Sequence, residues 1–263
     1  MPVIYGHIFN TFRGYNIKTY SSTFVLIMYS THKTYIRSDK QMTALLKENP
    51  SLLLFLEHFE IDFCLGEITV NQICLKYNLD PTAFILIGNL YNDFYPNEQD
   101  VSAIKDPEIL IRFLKNSHNY YKDDKYPEIK GYIGQLKTRQ NSENIHLIEQ
   151  FFNSYFNEVL EHLDYEDEVA FPYFYNLMKN NNEARKDFSA KEYLEHHTDI
   201  ETKLDDLKNL LLNHIVLDKD LTIRRKFLQS LFEFEKDLRI HSIIEEKILL
   251  PVVTQLEGIK KNE

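Results

Sequence analysis

The chain has 263 residues, 43% of them hydrophobic, and a formal net charge of −10 at pH 7. That length holds one large domain or two modest ones, and the acidic balance argues against a broad phosphate-binding surface. Two cysteines, Cys64 and Cys74, are too few for a disulfide framework or for an iron–sulfur cluster held by protein thiolates alone.

Only 7 glycines and 8 prolines occur, which favours long helices over a turn-rich β fold. Residues 1–38 form a poorly defined N-terminal extension. Its apolar run Phe24–Met28 is too short to span a membrane and does not make a signal peptide. Met28 is a candidate alternative start. The composition predicts a soluble cytoplasmic protein with no membrane or nucleic-acid partner.

From residue 39 to 96 the pattern predicts a small domain of short helices. One or two lie in "MTALLKENPSLLLFLEHF", interrupted near Pro50. Another is opened by Thr69, and a third by Asp80 as N-cap with Pro81 at the first helical position. The turn-rich "PNEQD" at 96–100 reads as a linker. Four long helices then follow within 105–256: 106–121, broken at Pro127; 142–179; 189–214, with Ser189 and Glu192 as a capping box; and 220–256. Short connections between long helices predict an all-α, up-down four-helix bundle after the small domain.

One pattern occurs twice. His162 and Glu166 precede Pro172, and His241 and Glu245 precede Pro251, each as H-x3-E-x5-P. A spacing of four turns a helix by about 400°, so each His lies nearly over its Glu. Both pairs fall on the apolar seams of their helices. The second-helix seam steps through Phe152, Tyr155, Val159, His162, Glu166, Val169 and Tyr173. The fourth steps through Leu231, Phe234, Leu238, His241, Glu245, Ile248 and Val252. The first seam contributes His118, and the third runs Leu194, His197, Ile200, Leu204, Leu207, Leu211.

Burying these polar groups without partners would cost about 1–3 kcal/mol each. Mutual His–Glu hydrogen bonds would offset that cost, and so would a metal. For any one of these histidines alone, a satisfied core or surface residue is the default reading. Four in register with two glutamates point to metal. Imidazole with carboxylate suits iron or manganese, and zinc less specifically. Six ligands exceed the need of one tetrahedral zinc and suit two metals bridged by the carboxylates, with an oxide or hydroxide between. The same geometry turns Glu168 and Glu246 away from the seam, sets His196 one step off it, and leaves His146 at the surface. Tyr120, Tyr121, Tyr155, Tyr165 and Tyr173 are candidates to line the pocket, although packing accounts for most of them.

These residues resemble the hemerythrin-like HHE domain, and more closely the RIC (repair of iron centres) di-iron proteins. The resemblance rests on "SHNYY" (117–121), "HLDYEDEVAFP" (162–172), "HHTDIETKL" (196–204) and "HSIIEEKILLP" (241–251). It implies a non-haem di-iron centre on His118, His162, Glu166, His197, His241 and Glu245. It also implies a function in repair of damaged iron–sulfur clusters, through iron donation or nitric oxide handling. The alternative is an oxygen- or nitric oxide-binding or sensing module without turnover, and the sequence does not decide whether the protein is an enzyme. Damaged iron–sulfur proteins and small diatomic molecules are the partners implied, and a homodimer is compatible.

The stretch 55–85 is similar to the small domain that precedes the RIC bundle. That domain usually carries two adjacent cysteines, where this chain has Cys64 and Leu65. Dithiol chemistry is therefore not expected, and a lone Cys64 reads more readily as a small buried hydrophobe than as a reactive thiol. Cys74 lies on an apolar helical face. A helix-turn-helix look at 69–91 lacks the basic cluster of a DNA reader.

Overall fold

The computed structural model describes residues 33–139, 142–179, 188–196, 200–214 and 220–261. The N-terminal extension, with Met28, lies outside them. So do the asparagine run at 180–182 expected to end the second long helix, and His197.

The described residues are helical, with one isolated bridge between Gln41 and Thr69. Four short helices come first: α1 (Met42–Glu48), α2 (Leu52–His58), α3 (Val70–Lys76) and α4 (Pro81–Tyr91). Their starts obey the expected local chemistry. Thr69 and Gln72 form a reciprocal capping box on α3, and the Asp80 carboxylate accepts from the Thr82 and Ala83 amides ahead of α4. The stretch expected as a linker contains a helical turn, α5 (Glu98–Ser102), because Asn97 and Asp100 cap it reciprocally.

The first long helix departs from expectation at Pro127. It does not break there. α6 (Glu108–Tyr120) passes through a π-helical turn, Tyr121–Lys125, into α7 (Tyr126–Arg139). The same device recurs twice. α8 (Glu143–Tyr165) passes through Glu166–Ala170 into α9 (Phe171–Met178), and α12 (Leu221–Ile244) passes through Glu245–Leu249 into α13 (Leu250–Lys261). Each π turn ends one residue before an X-Pro pair: Tyr126-Pro127, Phe171-Pro172 and Leu250-Pro251. Proline has no N–H, and its ring clashes with the carbonyl four residues back in an α-helix. Widening the preceding turn relieves that clash. The amides of Tyr126, Phe171 and Leu250 instead reach the carbonyls of Tyr121, Glu166 and Glu245, five residues back.

The third long segment is α10 (Ala190–His196) and α11 (Ile200–Asn213); Ser189 Oγ accepts from the Glu192 amide, one half of the expected capping box, and donates to the Glu192 carboxylate rather than leaving it to the Ser189 amide. Helices α7, α8, α11 and α12 touch in a ring, α7 against α8 and α12, and α11 against α8 and α12. Their facing residues make one apolar core, with Phe152, Phe156, Leu207, Phe227 and Phe234 at its centre. A second core joins α1–α4 to α6, α9, α10 and α13, and it holds Phe55, Phe84, Phe113, Phe174 and Tyr193. Packing is close at Gly88, where a Cβ would meet Ile36 Cδ1 at 3.0 Å and Phe55 Cζ at 3.1 Å. Along α6, α8 and α12 the chain passes from one core to the other at His118, Glu166 and His241. The polar cluster therefore sits between two apolar masses.

Candidate metal centre

In each repeated motif the helix stays α-helical as far as the glutamate. The Glu166 amide bonds the His162 carbonyl, and the Glu245 amide bonds the His241 carbonyl. The π turn begins only there. Each His therefore lies over its Glu, with His162 Nε2 3.1 Å from Glu166 Oε1 and His241 Nε2 3.1 Å from Glu245 Oε1.

Tertiary packing brings the two motifs together with the first helix. One donor atom from each of His118, Glu166, His241 and Glu245 lies within 4.8 Å of the other three, and all four residues are buried. The Nε2 atoms of His118 and His241 stand 3.4 Å apart. Glu166 Oε2 lies 3.3 Å from the first and 3.8 Å from the second. His162 borders this group through Glu166 Oε1. The expected ligand His197, like the side chain of its neighbour His196, lies outside the described residues. Glu168, Glu246 and His146 are exposed, as their helical phase requires.

Both central imidazoles are oriented from behind. His118 Nδ1 faces Asp167 Oδ1 at 3.1 Å, and Asp167 is tied in turn to Lys122. His241 Nδ1 lies 2.8 Å from Ser117 Oγ, whose own proton goes to the Leu114 carbonyl. That hydroxyl therefore accepts from Nδ1–H, which leaves Nε2 facing the cluster. Phe171 stacks on His118, and Tyr121 packs edge-on against His241.

The electrostatics come from burial. Desolvation alone would raise the Glu166 carboxyl, but the neighbouring imidazoles of His118, His162 and His241 hold it well below its ordinary range. Desolvation likewise opposes charge on His241, yet the attraction of Glu245 and the bonds to Glu166 and Glu245 push it up to about 10. A metal arriving here would displace such protons.

The residues fit a metal ion. Glu166 Oε2 is buried, and no hydrogen-bond donor among the described residues is aligned on it. Two imidazole nitrogens and two carboxylates converge without enough protons to join them all. Nitrogen and oxygen donors in this mixture are those of iron and manganese sites.

Three contacts were not anticipated. Ser117 and Asp167 stand behind His241 and His118, and nothing in their spacing singles them out. Tyr193 is buried, and its hydroxyl donates to Glu166 Oε1 at 2.6 Å. The expected third-helix seam began at Leu194, but Leu194 is 53% exposed and the seam runs through Tyr193. A phase error of one residue concealed it. Of the tyrosines that were anticipated, Tyr120 bonds Glu233 and Tyr173 bonds Glu257, both away from the cluster.

The cysteines differ from each other. Cys74 is buried, and desolvation, then the nearby Asp80 charge, pushes its thiol up to about 12. Cys64 is exposed, contrary to expectation, because Asp62 caps its amide and draws the segment into a surface turn.

No family model matches the chain. Across 196 residues it is 21% identical to the iron-sulfur cluster repair protein ScdA of Staphylococcus haemolyticus (strain JCSC1435), a match covering 73% of this chain and 87% of that protein. Among the described residues, no helix is long and apolar enough to cross a membrane.

Proposed function

We propose that this chain is a RIC-like non-haem di-iron protein that acts in the repair of oxidatively or nitrosatively damaged iron–sulfur clusters. The observation that carries the reading is the buried convergence of His118, Glu166, His241 and Glu245. The similarity to a protein named for cluster repair supports it. His118, His162, Glu166, His241 and Glu245 would hold iron, with His197 as a further ligand. When bound, iron would supply a change of oxidation state and an open position for nitric oxide, oxygen or water. The chain's own part is to orient. Ser117 and Asp167 hold the rear nitrogens of His241 and His118, so their Nε2 atoms face inward. A cytoplasmic setting and damaged iron–sulfur proteins as partners belong to the same proposal.

The test is metal analysis with a visible spectrum of anaerobically purified protein, and then reactivation of a damaged iron–sulfur enzyme. About two irons per chain and restored activity are expected, both lost in His241→Ala. Protein that holds no stoichiometric iron after anaerobic reconstitution would overturn the proposal. A metal-free bundle would instead be stabilised or unaffected by His241→Ala.

A second reading, diatomic ligand binding without turnover, is favoured by Leu65, which leaves the exposed Cys64 without a vicinal thiol. It predicts reversible ligand binding by iron-loaded protein that reactivates no damaged enzyme.

A further inference from the structure

We propose that Tyr193 is a positioning residue for the metal centre, fixing the orientation in which the Glu166 carboxylate faces the histidines around it. The inference rests on the di-iron reading above. A glutamate carboxylate turns about a broad, roughly two-fold terminal torsion, so its own rotamer preference does not fix which oxygen points where. Something outside the side chain must do so.

At Glu166 the two oxygens have different surroundings. Oε1 accepts from the Tyr193 hydroxyl at 2.6 Å and lies 3.1 Å from His162 Nε2. Oε2 is turned towards the Nε2 atoms of His118 and His241. Both oxygens therefore face imidazoles, and the phenol, bonded to one of them, fixes how the carboxylate is turned between His162 on one side and His118 and His241 on the other.

Tyr193 is held in turn by packing. Its ring is buried and meets Phe174 edge-on at 5.5 Å between centroids. α10 packs against α13, which continues directly from the Glu245 π turn. The hydroxyl also reaches Glu245 electrostatically, so one side chain on the third long segment addresses carboxylates on the second and the fourth. Partners behind metal ligands typically contribute about 10–100-fold to metal affinity.

The test is Tyr193→Phe, which keeps the ring and its packing. Full-length wild type and variant are reconstituted anaerobically with ferrous iron, and three quantities are read: iron per chain, the visible spectrum, and the rate of iron loss to a chelator. The expected result is iron loss about 10-fold faster, with folded secondary structure and the form of the spectrum retained. Site-specific 3-fluorotyrosine at position 193 supplies the opposite arm. It is a stronger donor of nearly the same shape, and iron loss is expected to slow. An unchanged rate in both variants would overturn the proposal. So would loss of an intense charge-transfer band in Tyr193→Phe, which would make Tyr193 a ligand instead. If Tyr193→Phe fails to fold, the fluorotyrosine arm decides alone. Wild type that holds no iron would overturn the di-iron reading itself, an outcome distinct from equal behaviour of two iron-loaded proteins.

Discussion

At the scale of single residues, the most demanding side chain outside the His–Glu cluster is Asp237. It is buried one helical turn before His241 and accepts from Tyr91 at 2.5 Å and Tyr121 at 2.8 Å, with His58 Nε2 at 2.9 Å. Burial alone would raise its carboxyl. The attraction of His58 and the three hydrogen bonds outweigh burial and hold it below its ordinary value of 3.8. A lowered folded value means stabilisation that is complete above about pH 4 and is lost as pH falls through the folded value. Removing one partner from a buried charged group costs about 3–5 kcal/mol. Asp237→Asn is therefore expected to destabilise the protein by about 3 kcal/mol at pH 7, and urea unfolding should show the gap between variant and wild type closing below pH 4. A gap of constant size across that range would show that the carboxylate charge is not what stabilises the junction.

At the scale of elements, the π turns decide how the helix continues past each glutamate. They place Glu166 and Glu245 at the last α-helical amide before the helix widens. Pro172→Ala restores a backbone N–H and removes the clash that holds the turn open. On the proposed di-iron reading, the iron affinity of this variant should fall about tenfold as Glu166 loses its fixed position. Equilibrium dialysis against ferrous iron checks this, and unchanged affinity would show that the turn persists without proline. Helix α4 supplies a second prediction. A Cβ at Gly88 would press on Ile36 and Phe55 inside the core, so Gly88→Ala should cost about 1–3 kcal/mol of overpacking in thermal or urea unfolding. A neutral or stabilising result would mean that the Ile36 side chain gives way.

At the scale of the molecule, α1–α4 and one end of the bundle share a continuous apolar core, and His58 of α2 and Tyr91 of α4 reach Asp237 of α12. Residues 33–263 make one compact unit. A shared core of this kind unfolds cooperatively. Far-UV circular dichroism and tyrosine fluorescence should report one coincident urea transition; two separated transitions would show that the short helices and the bundle unfold independently.

The helical class and most helix starts were legible in the sequence, because periodicity and capping chemistry are local. Thr69, Asp80 and Ser189 announce their helices through side chains that reach only two or three residues ahead. The pairing of His162 with Glu166 and of His241 with Glu245 was equally local, set by 3.6 residues per turn. Pro127 misled because a proline signals the loss of an α-helical bond without saying whether the helix ends or widens, and packing on both sides decided for widening. Leu194 stood in for Tyr193 because the third segment's phase is weakly marked over its first turn. What only the tertiary structure decided is which groups meet. The approach of His118 to Glu166 and His241, and the contacts of Ser117 with His241, of Asp167 with His118 and of Tyr193 with Glu166, depend on how helices far apart in the chain pack. No local spacing encodes a contact between residues that share no turn of helix.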